Sequence, residues 1–301
     1  MNEQSTLQLA NQNPIRLTSW KFISAFVLGW ALLIALSPVP FLQTLEYALF
    51  SFLGVLGAIF ASSTGAGGGV VFIPAFNELN FSEQQAIATS FAIQCFGMTG
   101  GAITWWYHYR AEKTELRLWQ GFKRIISVCA ISGIIGLWFV YGTHIQAPST
   151  LHQSFSLFSL ILGFFIVITV FFVKSPRERS QLYVLDYITI ILIGLFGGAI
   201  TAWLSVGIGE LLAVYLILRR FDISMAVAAA VIVSALLVWA GIGQHTLVSY
   251  QVYWQVVIFA GPGALLGGIF AKTLVTYLSA TRLKLFFAFW LLVIGLAGIK
   301  L

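Results

Sequence analysis

Nine apolar runs of near-spanning length divide this chain: about Trp20 to Leu42, Leu45 to Ser63, Ala86 to Tyr107, Trp119 to Tyr141, Ser154 to Val173, Tyr183 to Leu204, Met225 to Gly243, Val252 to Ala271 and Leu283 to Ile299. A helix of about 20 residues crosses a hydrocarbon layer of about 30 Å, so the runs dictate a polytopic helical membrane protein. Charge agrees with that reading. Asp, Glu, Lys and Arg make up 9% of the 301 residues, against about 25% in an average soluble domain. A large water-soluble catalytic domain is excluded. The polar tail Met1 to Asn13 lacks the basic, apolar, small-residue order of a cleavable signal peptide and reads as a cytoplasmic tail. The net charge of +6 comes from basic residues scattered through short links. They form no basic face or stripe, so nucleic acid is not an expected partner. Cys95 and Cys129 fall inside apolar runs and predict small buried residues instead of a disulfide or a metal site.

Two further apolar runs, Val70 to Leu79 and Leu211 to Leu218, are too short to cross alone. Each follows a glycine-rich break, Gly65-Ala66-Gly67-Gly68-Gly69 in the first case and Gly207-Ile208-Gly209 in the second. Lys and Arg in short links stay cytoplasmic, which assigns sides to the rest of the chain. Arg16 and Lys21 place the N-terminus inside, and so do Arg110 to Arg124, Lys174 to Arg179, and Lys272 to Lys284 for their links. The links near Glu46, Glu78 to Glu83, His144 to His152 and His245 to Gln251 carry no Lys or Arg and read as outside. Each glycine-broken segment must then return to its starting face as a hairpin. On that topology 15 of the 16 basic residues are cytoplasmic, leaving Lys300 outside.

The hairpins open two copies of one unit. At a spacing of 142, Gly65-Ala66-Gly67 falls on Gly207-Ile208-Gly209, Asn80-Phe81-Ser82 on Asp222-Ile223-Ser224, and Ala86 and Ala88 on Ala228 and Ala230. At 135, Trp119-Gln120 falls on Trp254-Gln255 and Gly133 on Gly268; at 132, Phe155 falls on Phe287 and Gly163 on Gly295. The expected fold is all-α: inverted-topology repeats, each a glycine-broken hairpin followed by three transmembrane helices, plus one extra N-terminal helix. The expected divisions are a tail over 1–19, the extra helix over 20–44, repeat one over 45–175 and an inverted repeat two over 183–301. Inverted repeats with paired broken helices are how many secondary transporters alternate access to a central site.

Gly65-Ala66-Gly67-Gly68-Gly69 with Pro74 downstream, then Ala86-Ile87-Ala88-Thr89-Ser90 and a degenerate second copy, resembles the sulfite exporter TauE/SafE family over roughly Leu45 to Leu301. The resemblance implies a polytopic anion transporter in a bacterial cytoplasmic membrane, with sulfite, a sulfonate or a related sulfur compound as cargo and no cofactor. The second copy departs from the pattern, with Glu210 at the place of a glycine and Leu216 opposite Pro74.

Glycines let the backbone turn and leave its amides uncovered, tolerable in a membrane only where protein or a wet cavity surrounds them. Gly65, Gly67, Gly68, Gly69, Gly207 and Gly209 are therefore candidate substrate-binding positions, each break opening a short helix whose free N–H groups favour an anion. Ser63, Thr64 and Ser205 add hydroxyls before the breaks, and Thr89, Ser90 and Gln94 place two hydroxyls and an amide within a central span. The bland alternatives are close helix packing for the glycines and interhelical hydrogen bonding for the polar residues. Gly97 and Gly101, Gly194 and Gly198, and Gly263 and Gly267 are spaced for packing, and Gly261-Pro262-Gly263 for a static kink. Glu210 is the one carboxylate deep in the apolar region and is a candidate for proton coupling, with a structural helix-end charge as the alternative. Asp186 and Asp222 read as helix ends or caps, and the four histidines as interfacial or loop residues.

No H-E-x-x-H or G-x-S-x-G occurs, and no central Asp pair. No catalytic or metal-ligating set is expected, and the chain reads as a transporter and not an enzyme. A membrane-embedded enzyme or a structural scaffold is the alternative. The expected partners are a small anionic substrate and membrane lipid, with a homo-oligomer left open.

Overall fold

A computed structural model describes residues 19–36, 40–77, 79–111, 118–146, 151–172, 179–278 and 280–299. The expected tail lies almost wholly outside these residues. The described chain is all helix: α1 Trp20–Ala35, α2 Phe50–Thr64, α3 Gly69–Asn77, α4 Glu83–Ala111, α5 Phe122–Thr143, α6 Leu151–Phe172, α7 Val184–Leu204, α8 Ile208–Leu218, α9 Ile223–Gly243, α10 Trp254–Tyr277 and α11 Ala280–Ile299. A π turn, Gln244–Val248, extends α9. Among the described residues, five helices, α4, α5, α7, α9 with its π turn, and α10, are long and apolar enough to cross a membrane. The protein is an all-α polytopic membrane protein.

Polar side chains mark where helices begin. Ser82 and Gln85 cap α4 reciprocally, with Gln85 N donating to Ser82 Oγ (3.3 Å) and Ser82 N to Gln85 Oε1 (3.2 Å). Asp222 accepts from Met225 N at 2.7 Å and caps α9, as its place at a span edge predicts. Two runs expected to span are shorter as helices. α1 has 16 residues and α2 has 15, and at about 1.5 Å per residue neither reaches about 30 Å. Pro40 precedes a separate helical turn, Phe41–Thr44, and a 3-10 turn carrying Glu46 stands between it and α2. Pro40 has no N–H to continue a ladder.

Small residues set the packing. α2 and α4 lie against α10, α5 against α7, α6 against α11, and α4 crosses α9 at the centre. Gly54 meets the backbone of Ala260, and Gly194 that of Cys129; Gly267 meets Val55, and Gly136 meets Leu195. Gly163 meets Ala288, and Gly295 meets Ser156. Each pair of contacts is the other with the halves exchanged. The spacing between equivalent positions is 140 for Gly54 and Gly194, 131 for Gly136 and Gly267, and 132 for Gly163 and Gly295. Gly97, Gly101, Gly198 and Gly263 are also packed too closely for a side chain. That is the packing role their spacing predicts. α10 runs through Pro262 without interruption.

The contacts correct the sequence alignment. Gly65 ends α2 and Ser205 ends α7, both left-handed (φ 82° and 58°). Asn80 (φ 59°) and Arg220 (φ 66°) repeat that equivalence, as do the caps Ser82 and Asp222. The spacing in the hairpins is 140 instead of 142, so Gly65 corresponds to Ser205, Gly67 to Gly207, Gly69 to Gly209 and Val70 to Glu210. Glu210 therefore does not replace a glycine. Matching glycine to glycine misleads because Ser205 adopts the left-handed turn itself, a conformation costing a non-glycine residue roughly 1 kcal/mol.

Candidate functional site

The two breaks touch. A Cβ on Gly69 would stand 2.8 Å from the Ser205 carbonyl oxygen, and one on Gly209 would collide with the Gly65 carbonyl oxygen. Only glycine permits either approach. Gly67 is equally confined, 2.9 Å from the same Ser205 oxygen and 3.2 Å from Gln94 Oε1 by the same measure.

Gln94, in the central part of α4, joins the breaks. Its Oε1 accepts from Gly68 N at 2.8 Å. Its Nε2 donates toward Ser205 Oγ (2.7 Å), Ser205 O (3.0 Å) and Ser90 Oγ (3.0 Å). Ser205 Oγ in turn lies 3.0 Å from Ser90 Oγ. Gln94, Ser90 and Ser205 are all buried. One uncharged amide thus satisfies backbone that both breaks leave bare, in a region where an unmade hydrogen bond costs about 1–3 kcal/mol. Ser90 and Gln94 sit one turn apart on one face, as their spacing predicts.

The other candidates divide. Thr89 is turned away from Ser90 and accepts from Tyr253 N at 3.0 Å, tying α4 to the start of α10. Ser63 and Thr64 donate back to Phe60 O at 3.1 and 2.9 Å. Thr64 also accepts from Ala66 N, bracing the first break. A hydroxyl in a helix finds a carbonyl three or four residues back without help, which is why these two do not reach the junction. At the second break, Gly207 (φ 138°) makes the turn and Thr201 Oγ1 takes the first α8 amide, Ile208 N, at 3.2 Å.

Glu210 is buried in the first turn of α8, and its Oε1 has no hydrogen-bond partner among the described residues. Ser234 on α9 is the position equivalent to Gln94 and went unrecognised in the sequence because the alignment was two residues out of step. Its Oγ is likewise buried and without a partner, and a Cβ on Gly209 would collide with it. The cap expected of Asp186 is present, with Tyr183 N donating to its Oδ2 at 2.8 Å, and two expectations, for Lys272 and for the histidines, need correction. Asp186 does more than cap α7: it binds Arg179 Nη2 at 2.6 Å, Arg219 Nε at 3.0 Å and Tyr215 OH at 2.7 Å, clasping the base of the second hairpin. Lys272 lies within α10 and is buried, so it is not a loop residue. His108 and His245 are buried as well, drawn in by aromatic neighbours Trp105, Trp119 and Phe91.

Broken helices meeting at a buried polar junction inside a helical membrane bundle define the architecture of a membrane transport protein. The family profile described as sulfite exporter TauE/SafE matches residues 50–298, and the chain belongs to that family. It is a transporter family, and its profile spans everything from α2 to the end of α11. No curated protein and no solved structure matches the chain.

Proposed function

We propose that the protein carries a small anion, namely sulfite, a sulfonate or a related sulfur compound, across the bacterial cytoplasmic membrane by alternating access about the Gln94 junction, with the N-terminus cytoplasmic. The observation that carries this reading is the bridging of both breaks by one neutral amide. The donors gathered there are Gly68 N–H, the Gln94 amide and the Ser90 and Ser205 hydroxyls. An oxyanion that displaced the Gln94 oxygen from Gly68 would exchange its hydration shell for those donors. Because no fixed cation is among them, release remains easy.

In the cycle, the two inverted halves exchange conformations, and opening between them at one face accompanies closure at the other. Glu210 beside the junction would repel an anion while ionised. Proton binding removes that repulsion. Glu210 thereby couples proton movement to anion movement. The test is a flux screen of sulfite and alkylsulfonates in proteoliposomes, with Glu210→Gln run beside the native protein. The expected variant keeps anion exchange and loses proton-driven accumulation. Unchanged accumulation removes Glu210 from the mechanism, and transport of a cation but no anion overturns the whole reading.

A further inference from the structure

A cleft of about 450 Å³ opens where α4 begins and where α5, α7 and the extended α9 end, lined in part by Gln84, Tyr141, Gln146, Trp203, Gln244 and His245. It contains no Lys or Arg, and the charge pattern assigns this end to the outside. On its wall a buried histidine meets a tyrosine: Tyr141 OH and His245 Nε2 are 3.0 Å apart, linking α5 to the π turn. Below, the His245 ring lies against Phe91, centroids 4.5 Å apart. Phe91 packs with Leu137, Ala202 and Val238 in one apolar layer. Ser90 and Gln94 flank Phe91 on α4, and Ser205 follows Ala202 by three residues. One stretch of α4 therefore carries both the ring under the cleft histidine and the junction residues Ser90 and Gln94.

The equivalent place in the other half holds a tryptophan. At the spacings of 140 and 131, His245 corresponds to Trp105 and Tyr141 to Lys272. Trp105 is fully buried and its Nε1 donates to Ser62 O at 3.3 Å, filling the space against the first hairpin. Its ring meets that of His108 at 5.5 Å, within electrostatic reach of the buried Lys272 ammonium.

We infer that the cleft at Tyr141 and His245 is the docking site where the anion enters or leaves before crossing the Phe91 layer, a reading that rests on the anion transport proposed above. The hydroxyl, the imidazole and the Gln84, Gln146 and Gln244 amides supply neutral donors for sulfonate oxygens. Glu83, the one carboxylate among the described lining residues, sits at the N-terminus of α4, where the helix dipole offsets its charge. The probe is methanesulfonate, which does not react with thiols. Gln146→Cys, in a protein whose two native cysteines are replaced by alanine, is labelled with a membrane-impermeant maleimide. Saturating methanesulfonate is expected to slow labelling several-fold. His245→Phe, which keeps a ring against Phe91, is expected to raise the methanesulfonate concentration for half protection about tenfold and to raise KM about tenfold with kcat little changed, the effect of one lost hydrogen bond to an anion. Tyr141→Phe is read in the same way if the histidine variant fails to fold. Labelling indifferent to methanesulfonate overturns the docking site, whether or not the protein transports. Protection without flux of any anion upholds the docking site and overturns the transport reading instead.

Discussion

Gln94 and Ser234 stand at equivalent places beside the two breaks, yet one completes its surroundings and the other does not. The Gln94 amide reaches Gly68 N and Ser205, while the Ser234 hydroxyl, shorter by the length of an amide group, has no partner among the described residues. Beside Ser234, Val70 of the first half is replaced by Glu210, whose Oε1 is also without one. Duplication supplied two matching frames. One frame is closed by a structural bridge, and the other holds two buried oxygens without a partner among the described residues.

The strongest way to break the comparison is Gln94→Leu. The substitution strands Gly68 N–H and the Ser205 carbonyl, and at about 1–3 kcal/mol for each unmade bond the junction loses several kcal/mol. Flux per folded molecule in proteoliposomes is expected to fall at least about tenfold, with a clear loss of thermal stability. Native flux in this variant would show that the bridge is mere packing. Gly209→Ala comes next, because its Cβ would collide with the Gly65 carbonyl and Ser234 Oγ, both at the crossing of the breaks. Folded yield should drop sharply, whereas Gly29→Ala in α1, with nothing near its Cβ, should gain roughly 0.5–1 kcal/mol from helix propensity. Equal behaviour of the two in a thermal melt would contradict the close crossing. The smallest effect is expected from Ser234→Ala. Removing a buried hydroxyl without a partner should raise stability by up to about 1 kcal/mol and lower proton-driven flux only a few-fold. A loss as severe as that of Gln94→Leu would mean that Ser234 bridges in another conformation.

Much of this architecture is legible one residue at a time. The apolar runs locate the helices from α4 onward to within a few residues, and the glycine breaks mark both hairpin turns. Packing glycines such as Gly194 and Gly267 announce themselves by spacing. Misreadings arise where identity and conformation part company. Ser205 performs the turn that Gly65 performs, so the second break was matched two residues too late and Ser234 was hidden as the counterpart of Gln94. Thr89 and Ser90 are adjacent hydroxyls in sequence, but about 100° apart around a helix, so only one faces the junction.

Hydropathy and the lengths of the apolar runs by themselves determined that this chain is a polytopic helical membrane protein. Those properties act through the partition of each segment between lipid and water, which composition and length control. Tertiary structure alone decided that Gln94 joins the breaks, that Ser63 and Thr64 turn back on their own helix, and that Lys272 and His245 are buried. Each depends on side-chain direction and on where helices cross. A hydrogen bond forms only within a few tenths of an ångström of its preferred length, a tolerance that packing sets and sequence spacing does not.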